Sequence, residues 1–307
     1  MLPWLTGVGG FMSNHLQREI PQEAFDWYDE YAHGGMDRRT FLKKLGSLAA
    51  VGYSMTVLTS ALLPNYALAE QVSFNDPEIL ATYETFASPL GHDEGQGYLV
   101  VPKNMSGPRP VVLVVHENRG LNPYIKDVAR RLAKAGFIAF APDALFPLGG
   151  YPGNDDEGRA MQKNLERSKI EQDFLAAAKF LKGHPQSNGK LGAVGFCFGG
   201  YMVNYLAAVE SNLLSAGVPF YGTPAAAELR DNIKAPLLVH LGELDERVNK
   251  TWPDYEKDLK RLKVPYTVHV YKGANHGFHN DSTVRYDKAN AEVAWQRTLD
   301  FFKETLS

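Results

Sequence analysis

From residue 70 onward, short apolar runs alternate with longer stretches in which apolar residues recur every three or four positions. The run Val111-Val112-Leu113-Val114-Val115 has no polar alternation, as expected of a strand buried on both faces at 110–116. Further strands are expected at 97–102, 137–141, 190–196, 215–221, 236–241 and 266–271. Ile125, Val128, Leu132 and Ala135 share one face of a helix over 124–135, which Gly136 ends. The same spacing predicts helices at 158–183, 199–209, 252–262 and 286–304.

Strand and helix thus alternate, which predicts an α/β fold: a mostly parallel sheet with helices on both faces. Sites in such sheets lie beyond the carboxyl ends of the strands. The informative loops therefore follow residues 116, 143, 196, 221, 241 and 271. The Gly-, Pro- and Asp-rich segment 147–158 is expected to form a lip over the site.

Composition narrows the chemistry. The 307 residues are 44% hydrophobic with a net charge of −3, so no global field favours nucleic acid, and no RNA- or DNA-binding signature occurs. The single cysteine, Cys197, excludes an intramolecular disulfide and a multi-cysteine zinc site. His116, His276 and His279 lack zinc-protease spacing, and neither metal nor cofactor is expected.

The first 69 residues form a separate segment ahead of a catalytic domain at 70–307. Arg38-Arg39-Thr40-Phe41-Leu42-Lys43-Lys44 is followed by a moderately apolar stretch from Leu45 to Leu63 and then by Ala67-Leu68-Ala69. These parts, in this order, make an export signal. The paired arginines resemble the twin-arginine type, which implies the corresponding export machinery, cleavage after Ala69 and a periplasmic or secreted enzyme. The stretch holds too many Gly, Ser and Thr residues for a stable membrane span. The alternative is a cytoplasmic protein that keeps this segment, with the acidic, aromatic helix at 23–31 packed on the protein or on another subunit.

Gly195-Phe196-Cys197-Phe198-Gly199-Gly200 places the cysteine at a tight turn between an apolar strand and a helix. Small flanking residues permit such a turn, and the helix start favours a thiolate or an oxyanion. The backbone N–H of Phe198 is then one oxyanion donor. On this architecture an acid and then a histidine follow the nucleophile in the chain. Asp245 and His276 occupy loops after two later strands. Glu243 and Glu246 compete for the acid position, and His279 and His240 for the histidine.

Residues 80–305 resemble the dienelactone hydrolase family of α/β-hydrolases, most densely over Ser187–Gly200. The resemblance implies a Cys197–His276–Asp245 triad acting on a lactone or small carboxylic ester. It also implies that Glu117, in Val115-His116-Glu117-Asn118, contacts the resting thiol and then takes its proton, and that the Asn118 N–H is the second oxyanion donor. Tyr221, in Phe220-Tyr221-Gly222, is placed in the pocket. Arg119, Tyr221 and Phe278 are candidate substrate contacts. The family's substrate-carboxylate contacts just after the histidine are replaced here by Gly277 and Asn280, and Arg119 is the candidate substitute. Competing readings are a thiol redox or sensor protein and a non-catalytic binding protein on the same fold.

Overall fold

The computed structural model describes residues 20–50, 53, 58 and 65–307. Eight strands form one sheet: β1 (Ile79–Ser88), β2 (Asp93–Pro102), β3 (Arg109–Val115), β4 (Ile138–Pro142), β5 (Ser187–Phe196), β6 (Ala216–Phe220), β7 (Leu237–Gly242) and β8 (Tyr266–Tyr271). Their order is β1-β2-β4-β3-β5-β6-β7-β8. β1 and β2 pair antiparallel, as do β2 and β4, while the other neighbours run parallel. The expected mostly parallel sheet is present.

Three helices preceding the sheet are α1 (Gln22–Ala32), α2 (Arg38–Ala50) and α3 (Tyr66–Ala69). The remainder are α4 (Pro123–Lys134), α5 (Asp155–Asn164), α6 (Arg167–Lys182), α7 (Phe198–Val209), α8 (Glu246–Asn249), α9 (Trp252–Leu262) and α10 (Lys288–Thr305). One face of the sheet packs against α6, α7 and α9, through residues such as Phe174, Leu206 and Leu259. The other packs against α4 and α10, through Ile125, Leu132 and Phe302. The odd and even positions of β3 serve the two cores separately, Leu113 one and Val112 and Val114 the other, which explains its unbroken apolar run.

Two elements differ from the periodicity. β1 lies at the sheet edge, with Leu80 and Tyr83 exposed and polar Thr82 and Glu84 on either side of Tyr83, so no apolar run marks it. The single helix expected at 158–183 is two helices. Leu165 is extended (ψ 145°), and Glu166 caps α6 in an extended conformation. Only Gly158 and Gln162 of α5 are buried, so α5 follows the site's rim while α6 follows the sheet.

The expected acidic, aromatic helix is present as α1. It packs on α2 through stacked Tyr31 and Phe41, whose ring centroids lie 4.8 Å apart. This hairpin lies against the sheet domain. Asn118 Nδ2 donates to the Ala32 carbonyl (2.7 Å), and Val284 joins the hairpin's apolar cluster. Arg38 and Arg39 open α2 and are exposed. Much of the apolar stretch after Ala50 lies outside the described residues. Among those described, no helix is long and apolar enough to cross a membrane.

Leu113 is wholly buried in the middle of the sheet. Leu113→Ala should lower unfolding stability by about 2–5 kcal/mol, read as a reduced urea midpoint at constant slope.

Candidate active site

The carboxyl ends of five parallel strands converge on Cys197. Its backbone adopts φ 57° and ψ −112°, in the left-handed region that a side chain rarely occupies. The turn is held by Cys197 N–H donating to the Phe220 carbonyl and by the Cys197 carbonyl accepting from Tyr201, both at 3.1 Å. A Cβ on Gly199 would overlap the Val115 carbonyl oxygen, so the motif's glycine is required by the approach of α7 to β3. Phe198 is the first residue of α7, so its N–H has no intrahelical acceptor.

His276 follows β8, and its Nδ1 lies 2.6 Å from Asp245 Oδ2. Asp245 also caps α8, accepting the Val248 N–H at 3.2 Å, and this second bond fixes the carboxylate. Both side chains are buried. His276 Nε2 has no hydrogen-bond partner among the described residues. Of the competing groups, Glu243 instead accepts the Gly273 N–H, and Glu246 lies in α8. His240 is bound between Tyr271 and Thr298 in the core, and His279 is bound to Tyr124 there.

Three residues ahead of the sheet domain's first strand or after the acid loop complete the cluster. His33 Nε2 lies 3.2 Å from Cys197 Sγ. Its Nδ1 donates to the Asp29 carbonyl at 2.8 Å. Arg247 Nε donates to Asp29 Oδ2 (3.1 Å), and its Nη2 lies 3.0 Å from His33 Nε2. No local pattern marks these positions for Asp29 and His33, which lie in the first 69 residues, the segment that resembles an export leader. Arg247 directly follows the acid loop, and its chain position alone marks it as a neighbour of the site.

The electrostatics follow from this crowding. Burial opposes ionisation of Cys197, yet the His33 and His276 imidazoles hold its thiol well below the ordinary range. Burial likewise opposes charge on His276, but the Asp245, Asp29 and Cys197 charges raise it to about 10. Asp29 is held well below the usual carboxylate range: its burial is outweighed by His276, His33 and Arg247. The groups therefore favour a thiolate–imidazolium state in the neutral range.

The remaining sequence candidates are placed as follows. Glu117 is buried, and its Oε2 accepts from Asn280 Nδ2 at 2.9 Å, with Arg119 Nε at 3.9 Å. Burial pushes its carboxyl up, against the opposing charge of Arg119. Its side chain makes no hydrogen bond to Cys197 in this arrangement. Asn118 follows it and lines the cavity over Cys197. Tyr221 also lines that cavity, with φ 39° and its ring centroid 4.9 Å from that of His276. Arg119 and Phe278, expected as substrate contacts, do not line it. Arg119 turns inward to pair with Asp155 at 2.9 Å, because that carboxylate and Tyr28 supply the partners a buried guanidinium needs. Phe278 is fully buried against Tyr271 and Phe220, since Gly277 (φ 80°) reverses the chain after His276.

The cavity has a volume of about 990 Å³, and its wall includes Cys197, Phe198, Tyr221, Tyr31, His33 and Arg247. His33, Cys197 and His276 offer donor atoms within 4.8 Å of one another, a set with metal-ligand chemistry. The guanidinium of Arg247 enters the same space and opposes a cation there. The histidines raised by sequence as a possible metal set do not converge. His116 uses both ring nitrogens on the backbone of Glu117 and Ala144.

A depressed thiol pKa means that the thiolate is already formed below the pH at which free cysteine ionises. Alkylation of the native chain by iodoacetamide should therefore change little between pH 7 and pH 8.5. A tenfold rise per pH unit up to about 8.5, the behaviour of ordinary cysteine, would contradict this arrangement.

Comparison with known proteins gives a dienelactone hydrolase family match over residues 96–306 and a YqhI-like match over residues 12–50. Protein usf of Aquifex pyrophilus is 39% identical over 222 residues, covering 69% of this chain and 94% of that protein. An Aquifex aeolicus protein named "Putative carboxymethylenebutenolidase" is 38% identical, covering 69% and 94% respectively. Among solved structures, the dienelactone hydrolase-like promiscuous phosphotriesterase P91 from metagenomic libraries is 27% identical, with a TM-score of 0.65. That match covers 75% of this chain and all of P91. With the fold, the elbow cysteine and these matches together, the chain belongs to the dienelactone hydrolase family and is a hydrolase of the ester and lactone type.

Proposed function

We propose that this protein hydrolyses a lactone or small carboxylic ester through Cys197, with His276 and Asp245 completing a catalytic triad. The observation that carries the reading is the strained Cys197 turn beside a buried Asp245–His276 pair bonded at 2.6 Å.

In this mechanism the Cys197 thiolate attacks the substrate carbonyl. The N–H groups of Phe198 and Asn118 receive the developing oxyanion, a contribution of about 2.7–4 kcal/mol per donor in comparable sites. The leaving alkoxide takes a proton from the His276 imidazolium. Once the sulfur is acylated, its negative charge no longer supports that imidazolium, so neutral His276 becomes available to take a proton from water. The resulting hydroxide attacks the thioester, the C–S bond breaks, and the thiolate is restored. Asp245 keeps the His276 tautomer and orientation throughout.

Burial of the carboxylate partner of His276 favours this reading over a redox thiol, which has no use for a buried acid–imidazole pair. A resolving cysteine is also absent from the sequence. The cavity volume fits a small organic ester rather than a polymer. For the first 69 residues, the packing of His33 and Asp29 on the catalytic groups supports the alternative in which the segment stays with the enzyme.

Steady-state hydrolysis of p-nitrophenyl acetate by the full chain tests the triad. Cys197→Ala should reduce kcat/KM by at least about 10³-fold, and His276→Ala by a similar factor. Asp245→Asn should lower kcat while leaving the fold intact by circular dichroism. Unimpaired turnover in Cys197→Ala would remove the proposed nucleophile.

A further inference from the structure

The sulfur's hydrogen-bond partner is supplied from outside the sheet domain. Among the described residues, Cys197 Sγ is bonded to His33 Nε2 at 3.2 Å, while His276 Nε2 has no hydrogen-bond partner and lies 3.9 Å from Asp29 Oδ1. His33 is the residue that ends α1, and its own N–H donates to the Asp29 carbonyl at 3.0 Å. A helix carboxyl end favours a cationic imidazole. The Nδ1–H bond to the same carbonyl fixes the tautomer, so the Nε2 lone pair faces both the thiol and the Arg247 Nη2–H, 3.0 Å away, which must release it when Nε2 takes the proton. Asp29 Oδ1 lies 3.3 Å from His33 Nδ1 without a hydrogen bond, so its carboxylate supports the imidazole by charge, whereas Asp245 is bonded to His276.

Building on the thiol-hydrolase reading above, we propose that His33 is a catalytic residue: it accepts the Cys197 proton as the thiolate forms and stabilises the sulfur when the thioester breaks.

Three further observations support this role. Glu117, the acceptor that the family resemblance implies, is committed to Asn280 and close to Arg119. The hairpin also leaves room for a substrate: the 990 Å³ cavity beside Cys197 is bounded by Tyr31, His33 and Met36, so the segment forms a wall of the site. That wall is anchored at several points. Asn118 holds the Ala32 carbonyl, Gln22 bonds Asn275 beside His276, and the Arg159 guanidinium lies 4.0 Å from the Tyr31 ring centroid.

The step balances without a co-reactant. The thiol proton moves to His33 Nε2 and the sulfur electron pair forms the C–S bond. The ester C–O bond breaks, and the alkoxide is protonated by His276. Water then supplies hydroxide to the acyl carbon and its proton to His276. The C–S bond breaks, leaving a thiolate beside the His33 imidazolium, and the acid product ionises to solvent. Groups facing His33 are Cys197, Asp29, Arg247 and His276. Groups facing the sulfur are His33, His276, Arg247, Glu117 and Tyr221.

The test uses the full chain with His33→Ala and the shape-conserving His33→Gln, each checked for folding by near-ultraviolet circular dichroism. Three readouts apply: the p-nitrophenol burst, the pH midpoint of iodoacetamide alkylation, and rescue by free imidazole. Both variants should slow the burst about 10²-fold. They should raise the alkylation midpoint by at least about one pH unit, and imidazole should recover part of the burst rate in His33→Ala only. An unchanged burst and midpoint in the folded Gln variant would overturn the proposal, making the hairpin a passive wall. A faster burst would also overturn it, making the hairpin a plug. So would an intact mass of the mature enzyme that begins after Ala69. Each of these leaves the Cys197 reading standing, whereas normal turnover in Cys197→Ala removes that reading whatever His33 does.

Discussion

The site depends on keeping a buried sulfur ionised. Cys197 is 7% exposed, and an isolated anion in that position would be strongly disfavoured. The surrounding groups reverse the preference by presenting two imidazoles and a guanidinium to the sulfur, balanced in turn by the Asp29 and Asp245 carboxylates. No single strand supplies this set. Parallel pairing brings the ends of β3, β5, β6, β7 and β8 to one rim, and each end contributes one participant or one wall. The sheet's register therefore decides the chemistry, because a slip of one residue would turn a side chain from the rim into a core.

Much of this was legible in the chain. The elbow glycines single out Cys197 for a local reason: α7 approaches β3 and β5 too closely for side chains there. Asp245 and His276 are legible because each follows an apolar strand in the order that the architecture requires. Less legible were features set by tertiary partners. Arg119 has the same sequence neighbours whether it faces a substrate or a buried carboxylate, and Asp155 decides it. The fate of Phe278 turns on the φ of Gly277. β1 is hidden because an edge strand exposes the apolar residues that would otherwise mark it, and the α5–α6 break because an amphipathic pattern can continue across an extended residue.

The amino-terminal segment shows a different limit. Its paired arginines and following apolar stretch match an export leader, and its acidic, aromatic helix matches a packed one. Both patterns are local, whereas the contacts that give the helix a role are distant. His33 and Cys197 are separated by 164 positions, and Asp29 and Arg247 by 218. No spacing rule connects residues that far apart. The YqhI-like match over 12–50 and the hydrolase match over 96–306 divide the chain between the hairpin and the sheet domain. The cluster of Cys197, His33, Asp29 and Arg247 lies where the two meet.

The departures from the family pattern also have a common physical sense. Where the resemblance implies substrate-carboxylate contacts after the histidine, this chain has Asn280, which donates to Glu117 and engages that carboxylate. To take the thiol proton, that carboxylate would have to form a contact with Cys197 that it does not make, at the expense of a buried hydrogen bond. An imidazole already 3.2 Å from the sulfur needs no such rearrangement. Arg247 and Asp29 join the hairpin to the loop that carries Asp245, so the same contacts that dock α1 also orient the imidazole. In the proposed mechanism, a proton acceptor at His33 and a wall for the cavity come from a single structural change, one helix end placed against one strand end.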